Sequence, residues 1–313
     1  MRVLVAGATG AVGNRLVPAL LQAGHQVTGT TRSAQKAAVL ESQGAVPVVL
    51  DAFDGNAVMH AVRDARPEAI VHQLTSIPDS VDMRRFDRDF ALTNRLRTEG
   101  LDTFIAAAKA AGVPRFVAQS FTGWPNERSG NRPKTEDDPL DPQPAPALRT
   151  TLDGIRHVER TVAGDRDLHG MALRYGFFYG PGTSFAPGGS VHDAVKAGRM
   201  PVVGGGTGVW SFLHIDDAAA ATVAALERGE PGVYNIVDDE PAPVHQWLPY
   251  LAKVLQARTP MRIPAWIARP LIGKAGLSMM TDVRGSSNAK ARTTLAWQPR
   301  YASWRDGFVR GLS

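Results

Sequence analysis

The sequence predicts an α/β fold, a doubly wound parallel sheet followed by a smaller C-terminal unit. Three observations carry this expectation. An apolar strand, Val3-Leu4-Val5-Ala6, enters a turn holding Gly7, Gly10 and Gly13 and leaves as a helix. Strand-like runs at 2–6, 26–31, 46–50, 69–74 and 115–120 alternate with segments of helical period, the rhythm of parallel strands joined by crossover helices. Past residue 175 the rhythm becomes irregular and glycine-rich, with Gly180, Gly182, Gly188, Gly189, Gly204, Gly205, Gly206 and Gly208.

The first turn carries the chemistry. In Gly7-Ala8-Thr9-Gly10-Ala11-Val12-Gly13, the first glycine allows a tight turn, the second lets backbone N–H groups approach a pyrophosphate, and the third lets the helix pack closely on the sheet. Val12, Leu16, Leu20 and Ala23 then form one helical face, Gly24 ends it, and Pro18 is expected to kink it locally. The second strand ends without a carboxylate to accept ribose hydroxyls. Thr31, Arg32 and Ser33 stand there instead, and the first acid after the glycine turn is Glu41. A guanidinium grips a 2′-phosphate through forked hydrogen bonds and the hydroxyls donate to its other oxygens, so NADP(H) is favoured over NAD(H). Asp51, followed by Ala52, closes the third strand and either meets the adenine edge or caps the next helix. A helix over 86–111 ends in an Ala-rich stretch stopped by Gly112, and Pro114 precedes the fifth strand. Residues 123–147, with Pro125, Pro133, Pro139, Pro142, Pro144 and Pro146, read as a long loop bordering a binding site.

Composition excludes several classes. At 313 residues with 43% hydrophobic and 21% charged side chains, the chain suits an ordinary globule with a large core. A formal charge of +5 and a pI near 9.7 are spread among acids with no basic–aromatic run, so nucleic acid is not expected as a partner. With no cysteine there is neither disulfide nor thiolate chemistry, and the eight histidines show no ligand spacing, so no metal is expected. The first strand begins at Arg2, leaving no room for a signal peptide, and no apolar run approaches the roughly 18 residues of a membrane span, so a cytoplasmic protein without a membrane partner is expected.

Several stretches together resemble the extended or atypical short-chain dehydrogenase/reductase superfamily, the group of NAD-dependent epimerases and dehydratases. Besides the glycine turn they are Asn94 in Thr93-Asn94-Arg95, Leu173-Arg174-Tyr175-Gly176-Phe177-Phe178-Tyr179-Gly180-Pro181-Gly182, and Phe212-Leu213-His214-Ile215-Asp216-Asp217 before an Ala-rich helix. Val233-Tyr234-Asn235-Ile236 and the run from Asn288 to Pro299 complete the set. The resemblance implies a Rossmann domain over 1–175 and a substrate domain over 176–313, with parts of 210–240 returning to the first. It also implies cofactor contacts from Leu74, Thr75, Asn94, Tyr175, Gly176 and Phe177, and leaves room for a homodimer.

The departures matter as much as the match. Family members carry Tyr and Lys four apart on the helix after the long loop, where the ammonium lowers the phenol's pKa for proton transfer. Thr151 and Ile155 occupy those positions here. Ser120, or Thr122 in the alternate register, matches the substrate-orienting hydroxyl, and the substitute proton source is Tyr179, Thr151 through water, or solvent. Trp210 stands where nucleotide-sugar enzymes place a diphosphate-binding arginine, and Trp124, Trp210, Met279 and Met280 predict an apolar, adaptable pocket. The expected activity is NADP(H)-dependent hydride transfer to or from a small, largely apolar carbonyl or imine compound. The alternatives are a dinucleotide-binding sensor that has lost its chemistry and a nucleotide-sugar epimerase or dehydratase.

Overall fold

Strand β1 (Arg2–Ala6) is apolar from Val3 onward because both of its faces are covered. Val3 and Val5 enter one core with Leu16, Val17 and Leu20 of the helix Gly13–Gln22 and with the alanine-rich helix Ile215–Arg228. Leu4 and Ala6 enter the core on the other side, with Val58, Val62, Leu101, Phe104 and Val158. This period of two, flanked by helices on each side, is what a buried parallel sheet requires.

The computed structural model describes all 313 residues. The remaining strands are β2 (Gln26–Thr31), β3 (Val46–Val49), β4 (Ala69–His72), β5 (Arg115–Phe121), β6 (His169–Tyr175), β7 (Phe177–Tyr179), β8 (Val202–Val203), β9 (Val209–Trp210), β10 (Phe212–His214), β11 (Gly232–Ile236), β12 (Ala242–Pro243) and β13 (Arg262–Ile263). Seven of them form one parallel sheet in the order β11-β6-β5-β4-β1-β2-β3. The chain reverses its winding between β1 and β4, and ligands of such sheets bind in the crevice outside the strand ends at that point. The other six strands pair as β7 with β10, β9 with β12 and β8 with β13 in the smaller C-terminal region.

The first five strands agree with the sequence reading to within two residues at their ends. The helix Gly13–Gln22 runs unbroken through Pro18. The helix read over 86–111 is instead a succession of pieces, Phe86–Asp89, Ala91–Arg95, a π-helical turn Leu96–Gly100 and Leu101–Ala110. Phe90 leaves helical geometry at φ −93, ψ 6, and the π turn inserts a residue that helical propensity does not encode. The 123–147 loop is anchored: Asn126, Lys134 and Asp141 are buried, and the Lys134 amide donates to the Gly285 carbonyl at 2.7 Å.

Candidate active site

The glycine turn leaves β1 at the switch point. Gly7 sits at φ +86, and a Cβ there would stand 2.9 Å from the Gln73 carbonyl oxygen. A Cβ at Gly13 would lie 2.3 Å from the Gly7 carbonyl oxygen and 2.5 Å from the Ala8 carbonyl, so only glycine lets the helix begin against the turn. Gly10 and Ala11 are exposed at the mouth, whereas Ala8 and Val12 are buried beneath it. The helix Gly13–Gln22 has no side-chain cap and no acid in its first turn, which leaves its N-terminal amides and positive dipole end for an anion.

Across from the turn, the Thr31 hydroxyl lies 3.3 Å from that of Thr9 and accepts the Ser33 amide N–H at 3.3 Å. Ser33 accepts the Lys36 amide N–H as the cap of the next helix, and its own hydroxyl proton stays available. Arg32 is exposed with no ion pair or hydrogen bond. Asp51 accepts the Phe53 amide N–H at 3.0 Å, while Asp54 caps the helix Gly55–Ala65. The buried Ala52 accepts the Thr103 hydroxyl through its carbonyl, and Leu74 and Thr75 follow β4 half-buried. No acid opposes Arg32, and the cradle would be filled by any Cβ, so these residues fit a dinucleotide.

The hydroxyls expected at the reaction centre are brought to four separate places, all fully buried. Ser120 donates to Glu159 at 2.8 Å, and Glu159 also receives the forked Arg174 guanidinium at 2.6 and 2.7 Å. Thr122 meets the Ser286 hydroxyl at 2.6 Å and donates to Asn126. Thr151 donates to Asp87 at 2.7 Å and accepts the Asn94 amide at 3.0 Å. Tyr179 packs in the C-terminal core with no partner for its hydroxyl, and burial first, then the carboxylates of Asp238 and Asp217, pushes that phenol far up. Tyr175 is likewise enclosed: its hydroxyl bonds to Gln73 and Thr222, and burial raises it to about 12. Gly176 is pressed against the Ser211 carbonyl, where a Cβ would approach to 2.6 Å.

Whatever the register, the helix Arg149–Val162 contains neither tyrosine nor lysine. Asp87 caps its N-terminus from another helix, accepting the Thr150 and Thr151 amides at 2.9 and 2.8 Å. Ile155 enters an apolar cluster with Phe86, Phe90, Trp124, Leu148 and Leu152. That cluster continues to the ends of β5 and β6 as a chain of rings. Phe86 stacks on Phe90 at 4.1 Å and meets Trp124 edge-on, Phe121 meets Phe177 edge-on at 5.2 Å, and Phe177 stacks on Trp210 at 3.9 Å. The Trp210 indole donates to the Met279 carbonyl at 2.8 Å, with Met280 half-buried beside it. The structure thus brings Trp124, Phe177, Trp210, Met279 and Met280 together. Sequence reading missed Phe86, Phe90 and Phe121, which come from two distant segments, and missed Arg97. Arg97 lies on the π turn against Gly154, with its Nη1 unpartnered, and burial lowers it to about 10.

A glycine cradle at the switch point of a seven-strand parallel sheet defines a Rossmann-type dinucleotide-binding protein. The chain belongs to the NAD dependent epimerase/dehydratase family, whose profile matches residues 3–237. It is 46% identical over 318 residues to the 3-diazoavenalumate denitrifying reductase of a Streptomyces species, covering 99% of this chain and 100% of that protein. It is 28% identical to the 2-alkyl-3-oxoalkanoate reductase of Stenotrophomonas maltophilia, covering 90% of this chain and 87% of that one. Among solved structures, the UDP-glucose 4-epimerase of Thermus thermophilus in complex with NAD superposes with a TM-score of 0.76 at 22% identity, covering 100% and 98% of the two chains. Kinship of this extent makes the chain an NAD(P)-dependent oxidoreductase.

Proposed function

We propose that the chain is an NADPH-dependent reductase of planar, electron-poor aromatic compounds whose reduction takes no proton from the protein, with aryl diazonium compounds as the substrate class. The observation that carries this reading is the replacement of the proton relay by Thr151, tied to Asp87 and Asn94, and by Ile155 in an aromatic cluster. When bound, reduced nicotinamide supplies a hydride; given to a carbonyl it leaves an alkoxide that needs a proton, whereas given to an aryl diazonium it forms a C–H bond as the C–N bond breaks and N2 leaves. A chamber without phenol or amine suits the second case.

The chain's own residues have separable tasks. The backbone of Gly7, Ala8, Thr9, Gly10, Ala11, Val12 and Gly13 would hold the pyrophosphate, Asp51 and Ala52 would border the adenine, and Leu74, Thr75 and Asn94 would border the nicotinamide half. Phe121, Trp124, Phe177 and Trp210, which pack on one another, would border a flat substrate, and aromatic faces attract a cationic one. The name of the 46%-identical relative, a denitrifying reductase of a diazo compound, agrees with this chemistry.

The test is single-turnover reduction with NADPH deuterated at C4. The expected product from an aryl diazonium is an arene with deuterium at the carbon that carried nitrogen. Comparable turnover of ketones, or no NADPH consumption with diazonium compounds, overturns the reading.

Arg32, Thr31 and Ser33 would hold the 2′-phosphate. Arg32→Ala is expected to raise the KM for NADPH by about 10- to 150-fold, the equivalent of about 1.5–3 kcal/mol for a hydrogen bond to a charged group, and to leave the KM for NADH unchanged. Steady-state kinetics with both dinucleotides checks this.

A further inference from the structure

The helix Ala265–Thr281 is amphipathic in the reverse sense over its first half. Up to Gly273, whose φ of +68 and ψ of −178 break the helical path, the side turned to the protein is Ala268, 3% exposed. The side turned to water carries Trp266 at 76%, Ile267 at 42% and Leu271 at 68%, with Met261 just ahead at 67%. Surface helices ordinarily place their polar residues outward, so this face calls for a partner.

Charge says which kind. No Asp or Glu stands between Glu240 and Asp282, while Lys253, Arg258, Arg262, Arg269 and Lys274 all do. All five are exposed, and none makes an ion pair or a side-chain hydrogen bond. The acids of the adjoining cleft, Asp153 and Asp282, face Arg156 and Arg128, and Asp82, on the segment packed against Gly273 and Gly276, is paired with Arg84. A second copy packed symmetrically on this face would set like charge against like charge.

We propose that this face docks on an anionic lipid bilayer, with Trp266, Ile267, Leu271 and Met261 entering the boundary between headgroups and acyl chains and the five cations lying on lipid phosphates. The docking is interfacial, since no helix is long and apolar enough to cross a membrane. The second half of the same helix carries Met279, whose carbonyl accepts the Trp210 indole N–H. The docking face stands apart from the reaction assigned to the aromatic chamber.

The protein carries its own probe. Trp266 is the one exposed tryptophan, Trp124, Trp210, Trp247, Trp297 and Trp304 being 7% exposed or less. Phosphatidylcholine vesicles containing phosphatidylglycerol are expected to sediment the full chain at least about tenfold better than phosphatidylcholine alone and to blue-shift its emission. W266F should abolish the shift, and the double change Trp266→Ser with Leu271→Ser should abolish sedimentation while leaving Tm unchanged. Two results overturn the proposal: equal sedimentation of wild type and the double variant, or a concentration-dependent dimer that the double variant loses.

Discussion

Gly13→Ala is expected to weaken NADPH binding by at least about 100-fold in a calorimetric titration. The added carbon would stand 2.3 Å from the Gly7 carbonyl oxygen and 2.5 Å from the Ala8 carbonyl, both backbone atoms of the phosphate turn. No flexible side chain is there to yield, so the helix and the turn must separate, at a stability cost of about 1–3 kcal/mol. Separation also takes the N-terminal amides of the helix away from the turn's own amides, and the cradle requires both. Gly24→Ala is the control. Gly24 has a positive φ, +80, which Gly13 does not, and no atom lies within 4 Å of its missing Cβ, so backbone strain without a clash is tested. That variant should lose about 1 kcal/mol and bind NADPH like wild type. Wild-type affinity in Gly13→Ala would show that the pyrophosphate lies elsewhere.

These two glycines also mark how far the sequence could be read. The turn, the parallel strands and the lack of a tyrosine–lysine pair were legible because each is a local pattern: a glycine at a fixed offset, an apolar run, a residue type absent from one helix. The chamber was legible only in part. Trp210 and Met279 stood out as apolar residues at positions where charge was expected, but Phe86, Phe90 and Phe121 join them only because the pieces Phe86–Asp89 and Ala91–Arg95 pack against the helix Arg149–Val162, which lies on β5. Side-chain partners across the sheet were not legible. Nothing local marks Asp87 as the cap of a helix that starts at Arg149, or Glu159 as the acceptor of Ser120. The Trp266 helix shows the same limit: Ala265-Trp266-Ile267-Ala268 reads as apolar, and only the fold decides that the alanine faces inward.

Glu159→Leu is expected to destabilise the protein by about 3–5 kcal/mol in urea unfolding at unchanged m-value, because it leaves the 4%-exposed Arg174 as a buried charge without a counterion. Arg174→Met should cost a similar amount, stranding the Glu159 carboxylate. The double variant should recover most of the loss, since a well-packed apolar pair in such a site is often as stable as the ion pair it replaces. The cycle also decides what Ser120 does. In the structure its hydroxyl donates to the same Glu159 oxygen that receives Arg174 Nε at 2.6 Å, so the ion pair engages the Ser120 hydroxyl and positions the end of β5, where Phe121 meets Phe177. Ser120→Ala in wild type should then lower stability by about 1 kcal/mol, one buried hydrogen bond, with kcat unaltered. A small coupling energy, below about 1 kcal/mol, together with a fall in kcat for Ser120→Ala, would mean that the pair opens to solvent and frees the hydroxyl for the substrate, returning Ser120 to the reaction centre.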